Sequence, residues 1–319
     1  MGGAESTKPS PLPFARAARH GAGMKIAATA LALLLALPAC AQQAPAPATA
    51  QDADPALWVV KDRDTTIYLF GTVHVLKPGL SWFDEAVKTA FDQSQTLVLE
   101  MVEPDAATQQ KVVAATAFDP AGTPLTQRLP PNYRGAFARA MNDGGVPAAA
   151  YDRMRPWFAA VTLSLLPIQK LGYDPANGPE KVLGAAAKAA GKPVVGLETF
   201  EGQLGVFGGL SQNAQMALLE STLDELPKVD ATFGTLVDAW ATGNPAGVAK
   251  EMNESLKDSP EVAKALLTDR NKQWAGWIAK RMTQPGTVFV AVGAGHLAGV
   301  GSVQDQLGAY RLKAVRVKY

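Results

Sequence analysis

The chain has 319 residues, 47% apolar and 18% charged, enough for one large domain or two modest ones. Its formal net charge is +1 with no long run of one sign, which leaves no electrostatic footprint for nucleic acid or an anionic membrane surface. Without residues 1–40, which hold Lys8, Arg16, Arg19 and Lys25 against Glu5, 26 basic and 28 acidic residues remain, a balance of −2.

Met24-Lys25 leads into Ile26 to Leu37, an alanine–leucine stretch too short to span a bilayer as a stable helix. Pro38-Ala39-Cys40-Ala41 then reads as a small-residue cleavage region. Residues 1–41 are therefore expected to be a bacterial secretory signal region, in which 1–23, rich in Gly, Pro and Arg, form an upstream extension that need not be translated. Cys40 is the only cysteine, so the mature chain has no intramolecular disulfide. Leu37-Pro38-Ala39-Cys40 resembles a lipobox, whose cysteine would be acylated, while Ala39-Cys40-Ala41 equally fits cleavage after Ala41. Either way the expected location is the periplasm, free or anchored through Cys40 to the outer membrane, with no other membrane contact.

Residues 42–55, rich in Ala, Pro and Gln, lack an apolar period and are expected to be a disordered tether, so that the folded domain spans 56–319. Leu57 to Val60 and Thr65 to Phe70, across Asp62-Arg63-Asp64, predict a hairpin. Trp82 to Gln93 has helical spacing with Ser81 as its N-cap, and Thr96 to Glu100 is a third strand. Strand, helix and strand in that order predict a right-handed crossover and a parallel pair. Residues 105–190 are mostly helical: Asp105 to Phe118, Asn132 to Asn142, Pro156 to Lys170 with Pro167 as a kink or stop, and Lys181 to Ala190. Pro193 to Glu198 is a fourth strand. A helical block over Glu201 to Met282 follows, broken at Gly208-Gly209, Pro227 and Gly243-Asn244-Pro245. The chain closes with a strand over Thr287 to Val292, a helix near Val303 to Leu307 and a strand over Leu312 to Val317.

Beyond the export region only two histidines remain, and both follow a strand and a glycine turn: Gly71-Thr72-Val73-His74 and Gly293-Ala294-Gly295-His296. Two further strands end in glutamate, Glu100 and Glu198. Carboxyl ends of parallel strands are where functional groups gather. His74, His296, Glu100 and Glu198 together form a ligand set for one divalent metal of intermediate hardness, Mn²⁺, Co²⁺ or Zn²⁺. Such an ion lowers the pKa of a bound water, and a free carboxylate takes the proton. For any one of the four a structural duty is the better reading, so the metal or acid–base site rests on all four meeting. Arg270, four residues before Trp274, is read either as a guanidinium facing substrate or an oxyanion, or as a helix-end arginine packed on tryptophan. Arg155 is read in the second way, and Tyr68 and Tyr173 as packing residues. Gly208-Gly209 is a candidate hinge.

The phrases Tyr68-Leu69-Phe70-Gly71-Thr72-Val73-His74, Leu97-Val98-Leu99-Glu100, Arg155-Pro156-Trp157 and Gln169-Lys170-Leu171-Gly172-Tyr173-Asp174 resemble the TraB/GumN family. So do Gly191 to Thr199, Arg270-Asn271 with Trp274, and Val288 to Leu297; order and spacing agree from about Leu57 to Val317. The wider set includes Wnt-cleaving TIKI proteases and, more remotely, ChaN-like haem-binding and erythromycin-esterase-like proteins.

The resemblance implies an α+β fold: a central mixed β-sheet carrying the two Gly-x-x-His motifs at strand ends, surrounded by helices with a large helical insertion. It also implies that His74, Glu100, Glu198 and His296 line the active site, which in TIKI-like members is a protease site using Mn²⁺ or Co²⁺. One departure stands out. Where relatives often carry Asp-x-His, this chain has Glu180 for the acid and Val182 in place of histidine.

The expectation is an exported metal-dependent hydrolase, a TIKI-like metallopeptidase cutting a peptide or protein. His74, His296 and one or both glutamates hold the metal, the other glutamate acts as base and Arg270 steadies the oxyanion. Two alternatives stay open. One is a non-catalytic binder of a porphyrin or other small molecule, the other an accessory factor in envelope polysaccharide export.

Overall fold

A computed structural model describes residues 50–119, 122–256 and 259–319, without the side chains of 253–255. The expected signal region, Cys40 and the first part of the tether lie outside the described residues. Among the described residues, no helix is long and apolar enough to cross a membrane.

The fold is the expected α+β arrangement of a mixed sheet wrapped in helices. Two short strands, β1 (Gln51–Asp52) and β4 (Leu80–Ser81), form a small parallel pair. The main sheet contains β2 (Leu57–Lys61), β3 (Thr65–Thr72), β5 (Thr96–Met101), β6 (Val194–Glu198), β7 (Gly286–Gly293) and β8 (Val315–Arg316). Its order is β6-β5-β7-β3-β2-β8. The first four are mutually parallel, and β2 runs against both β3 and β8.

The expected hairpin is β2–β3, with Leu57 opposite Phe70 and Lys61 opposite Thr66. The expected crossover does give β3 and β5 the same direction, but they are not neighbours: β7 lies between them. The reason is burial. Val288 to Val292 is apolar at every position and at most 2% exposed, so it takes the most enclosed place in the sheet.

Period-two alternation splits the core between the two faces. Phe70, Leu97, Leu99, Phe289 and Ala291 pack on one side with Trp82, Phe91 and Trp240. Ile67, Leu69, Val98, Val288, Val290 and Val292 pack on the other with Trp274, Ile278 and Leu307. On the first face Phe70 stacks on Trp82 with centroids 5.6 Å apart and meets Phe289 at 5.7 Å.

The helices between β5 and β6 and between β6 and β7 form the insertions. Asp105 caps the helix Ala106–Ala117 by accepting from the Thr108 amide. The helix Pro156–Lys170 runs through Pro167 and stops within a turn of it, the proline removing one helical N–H donor. Three expectations differ. Residues 51–54 are not tether: Gln51 and Asp52 pair with β4, Ala53 is buried, and the Asp54 amide donates to the Ala241 carbonyl. Ser81 belongs to β4 and its hydroxyl binds Asp84, so the helix begins at Glu85 with Asp84 at the cap. The last strand is only Val315–Arg316.

Candidate functional site

Because β3, β5, β6 and β7 run parallel, their carboxyl ends share one rim. The ladder sets Thr72 of β3 opposite Gly293 of β7, so the two Gly-x-x-His turns lie side by side. They touch at Gly71, where a Cβ would stand 3.1 Å from the Ala294 Cα. Glycine is needed there for the close approach. The Trp240 indole fixes this turn, donating to the Gly71 carbonyl at 2.7 Å.

The centre of the cluster is Arg270, from the helix Asp269–Arg281. Its Nε and Nη2 grip Glu198 at 2.8 and 2.9 Å, and Nη2 also reaches Glu100 at 2.6 Å. Nη1 donates to the Leu266 carbonyl at 3.3 Å and to His296 Nε2 at 3.2 Å. These contacts use all five N–H donors of the guanidinium. Its plane also lies 4.7 Å above the Trp274 ring. Both expected readings of Arg270 thus meet in part: it packs on tryptophan and it enters the site, but it offers no donor to an oxyanion.

The carboxylates are equally committed. Glu100, 8% exposed, accepts from the Gly293 amide at 2.7 Å, from Gln203 at 2.9 Å and from Arg270. Burial works against its ionisation, yet the charges that His296 and His74 carry in acid, with the Arg270 guanidinium and the Gly293 amide, outweigh this and hold it at about 2. Glu198 accepts from Arg270 twice and from the Trp274 indole at 3.0 Å.

His296 is 6% exposed, with Nδ1 2.6 Å from the Asn271 carbonyl oxygen. Asn271 is itself anchored through its amide nitrogen to the Gly301 carbonyl. An acceptor at Nδ1 and an arginine at Nε2 select the neutral ring protonated on Nδ1. Burial lowers its pKa to about 4, in keeping with that form.

His74 stands beside this core rather than in it. Its Nδ1 is 2.7 Å from Glu180, which also accepts from the Thr72 hydroxyl at 2.6 Å. The Glu180 carboxylate raises the ring's pKa, against burial, to about 9. The ring is ringed by protein atoms but keeps 70% of its side chain open to solvent, and water tempers that shift. Among the described residues no hydrogen bond engages Nε2.

A divalent ion needs lone pairs aimed at one open point. Here the acceptor atoms of Glu100, Glu198 and His296 do converge, but on a guanidinium, and His74 turns to Glu180. Among the described residues, no group of three or more His, Cys, Asp or Glu side chains is arranged to hold a metal ion. As arranged, the four expected ligands do not fit an ion while Arg270 stays in place.

Sequence reasoning did not give Glu180, Thr72, Gln203 or Asn271 a role in the site. Glu180 was visible as the acid of the Glu-x-Val departure, and Val182 packs against the core instead of filling a histidine's place. Arg155, expected to pack on tryptophan at a helix end, stands at the start of the helix Pro156–Lys170 and donates to the Gly208 carbonyl at 3.1 Å. Tyr68 donates to Gln93, and Tyr173 packs edge-on to Phe233.

Fold and site define an α+β domain with a buried arginine–carboxylate–imidazole cluster at the carboxyl ends of parallel strands. The profile of the TraB/PrgY/gumN family matches residues 56–313, and the chain belongs to that family. It is 24% identical over 257 residues to the uncharacterized protein YbaP of Escherichia coli K12, covering 79% of this chain and 92% of that one. The YbaP protein of Shigella flexneri matches equally. An uncharacterized protein of Treponema pallidum is 21% identical over 273 residues, 80% of each chain. No solved structure matches.

Proposed function

We propose that this protein is a hydrolase of peptide or protein substrates, with His74 as proton carrier and the Arg270 cluster as the rigid floor beneath it. The observation that carries the reading is His74 itself. Its Nδ1 is held by a carboxylate that a hydroxyl fixes in turn, and its ring opens to solvent. This is the base-and-orienter arrangement of acyl-transfer sites. In the neutral ring, Nε2 takes a proton from water as the water oxygen bonds to the scissile carbonyl carbon. The same proton passes to the leaving nitrogen as the C–N bond breaks, and Glu180 stabilises the imidazolium between the two steps.

The test is turnover of an unbiased peptide library by the wild-type chain and by His74→Ala and Glu180→Gln. Loss of cleavage in His74→Ala, and a wild-type rate that climbs with pH through the ring's titration near 9, support the reading. An intact library overturns it in favour of a porphyrin or small-molecule binder, or of an accessory factor in polysaccharide export.

A metal-dependent form of the reaction rests on a separate observation, the convergence of Glu100, Glu198 and His296 acceptors around one cation. Mn²⁺ or Co²⁺ suits that donor set, with Zn²⁺ next, provided the guanidinium yields its place. Elemental analysis of protein purified without chelator decides it. Full activity in metal-free protein dismisses this form, and stoichiometric metal lost in His296→Ala supports it.

Export belongs to the same proposal, resting on Met24 to Ala41. N-terminal analysis of the native protein checks it: acylated Cys40 marks a lipoprotein, Gln42 a free periplasmic protein, and Met1 or Met24 removes the idea.

A further inference from the structure

The strand β6 is one edge of the main sheet, and it ends in Glu198 within the site. Its inner side is fixed by β5, with Leu97 opposite Val194, Leu99 opposite Gly196, and the Leu97 amide donating to the Pro193 carbonyl. In a parallel ladder, hydrogen-bonding groups alternate sides residue by residue. Val195 and Leu197 therefore face β5, while Val194 and Gly196 aim N–H and C=O outward, unpaired among the described residues.

Exposed edges are normally protected by lysine or proline within the strand, or by being very short. The opposite edge, β8, has two residues, one of them Arg316. Lys192 and Pro193 precede β6, but Lys192 is turned inward onto the Phe91, Asp92 and Ser94 carbonyls, and the strand itself is Val-Val-Gly-Leu-Glu, whose one charge is bound to Arg270. Val195 is 41% exposed, and Val102, whose amide lies 3.1 Å from where a Gly196 Cβ would stand, is 48% exposed. Bare backbone groups beside an exposed apolar side chain are what an extended polypeptide needs to add a strand.

We propose that β6 is a docking edge: an extended segment of substrate polypeptide pairs with it as a seventh strand, leaves it at Glu198 and runs on across the rim, past the ends of β5 and β7, toward His74. This deepens the hydrolase reading, on which it rests, by naming the substrate as unfolded or extended chain. Main-chain pairing supplies affinity with little regard for sequence, and Val195 favours an apolar side chain beside it on the added strand.

The probe is a short fluorescein-labelled peptide of alternating valine and threonine with lysines at its ends, beside the same peptide N-methylated at alternate amides. Binding is read by anisotropy on the full His74→Ala chain and by amide exchange. The expected result is slowed exchange at Val194 and Gly196 with Val195 and Leu197 unchanged. The N-methylated peptide, or Val195→Lys, should bind roughly tenfold more weakly. Equal binding of both peptides, or protection without that alternation, overturns the proposal; should Val195→Lys fail to fold, these two readouts still decide. If the peptide binds as described but the wild-type chain never cuts it, the hydrolase reading fails and the docking edge stands. If it is cut with the same KM by wild type and Val195→Lys, the docking edge fails alone.

Discussion

The carbonyl of His74 occupies the space that a Cβ on Gly178 would take. Gly178 is the cap of the helix Pro179–Ala189, which carries Glu180 in its first turn. That close approach lets the helix start lie on the histidine turn and bring Glu180 to Nδ1. Gly178→Ala should push the two apart, costing about 1–3 kcal/mol of stability. Peptide cleavage should fall more than the loss of folded protein explains. Circular dichroism melts beside rates measured well below the midpoint check this, and an unaltered rate would refute the positioning role.

Arg270→Ala should be among the most damaging single changes. It leaves two buried carboxylates facing each other without a cation, a type of loss worth about 3–5 kcal/mol. Arg270→Lys keeps the charge but lacks the planar fork that grips Glu198 with two nitrogens, so it should recover only part of the loss. Urea denaturation of the three chains gives the order, which fails if Lys equals Arg.

Stability should fall in acid in two stages. The folded pKa of His296 lies near 4, below its ordinary 6.5, so the unfolded chain takes up a proton first and stability drops between those values. Glu100, held at about 2 against an ordinary 4.5, contributes stability above 4.5 that is lost as pH falls through its folded value. His74 has the opposite sign: raised from 6.5 to about 9, it stabilises below 6.5 and that contribution fades on the alkaline side, shallowly because the ring is open to solvent. Denaturant midpoints across pH, with His296→Ala removing the upper acid stage, check the assignment.

Trp240→Phe should retain most of the ring packing against Phe70 and Trp82 while stranding the Gly71 carbonyl. A buried carbonyl without its donor costs about 1–3 kcal/mol. A shift in melting temperature larger than that of an exposed control such as Tyr310→Phe would establish the indole N–H as the reason.

The strands and their four polar terminators were legible because each is a short apolar run closed by a glycine turn or a single acid. What that pattern cannot carry is adjacency. β3 and β5 read as a pair because they are consecutive, yet β7 separates them, and only burial on both faces ranks the strands. The hub was hidden for the same reason. Nothing near Arg270 in the chain reveals that Glu100 and Glu198 arrive from either side and take three of its five donors. Ser81 misled because a serine before an apolar period looks like a cap, whereas its backbone is spent on pairing with Asp52. Gln51 and Asp52 looked like tether because a two-residue strand has no period to detect.

The placement of β7 also bears on how the molecule comes to exist. A ribosome delivers residues 286–293 after nine-tenths of the chain, yet they supply the middle of the sheet. Until they emerge, the earlier strands have a gap where their neighbour belongs, and the apolar sides of β3 and β5 stay open to wrong partners. Closure waits for a contact spanning more than two hundred residues, the kind of topology that folds slowly and exposes the chain to aggregation meanwhile. A chain cut before Gly286 should yield no stable domain at all, as the loss of any cooperative thermal unfolding would show.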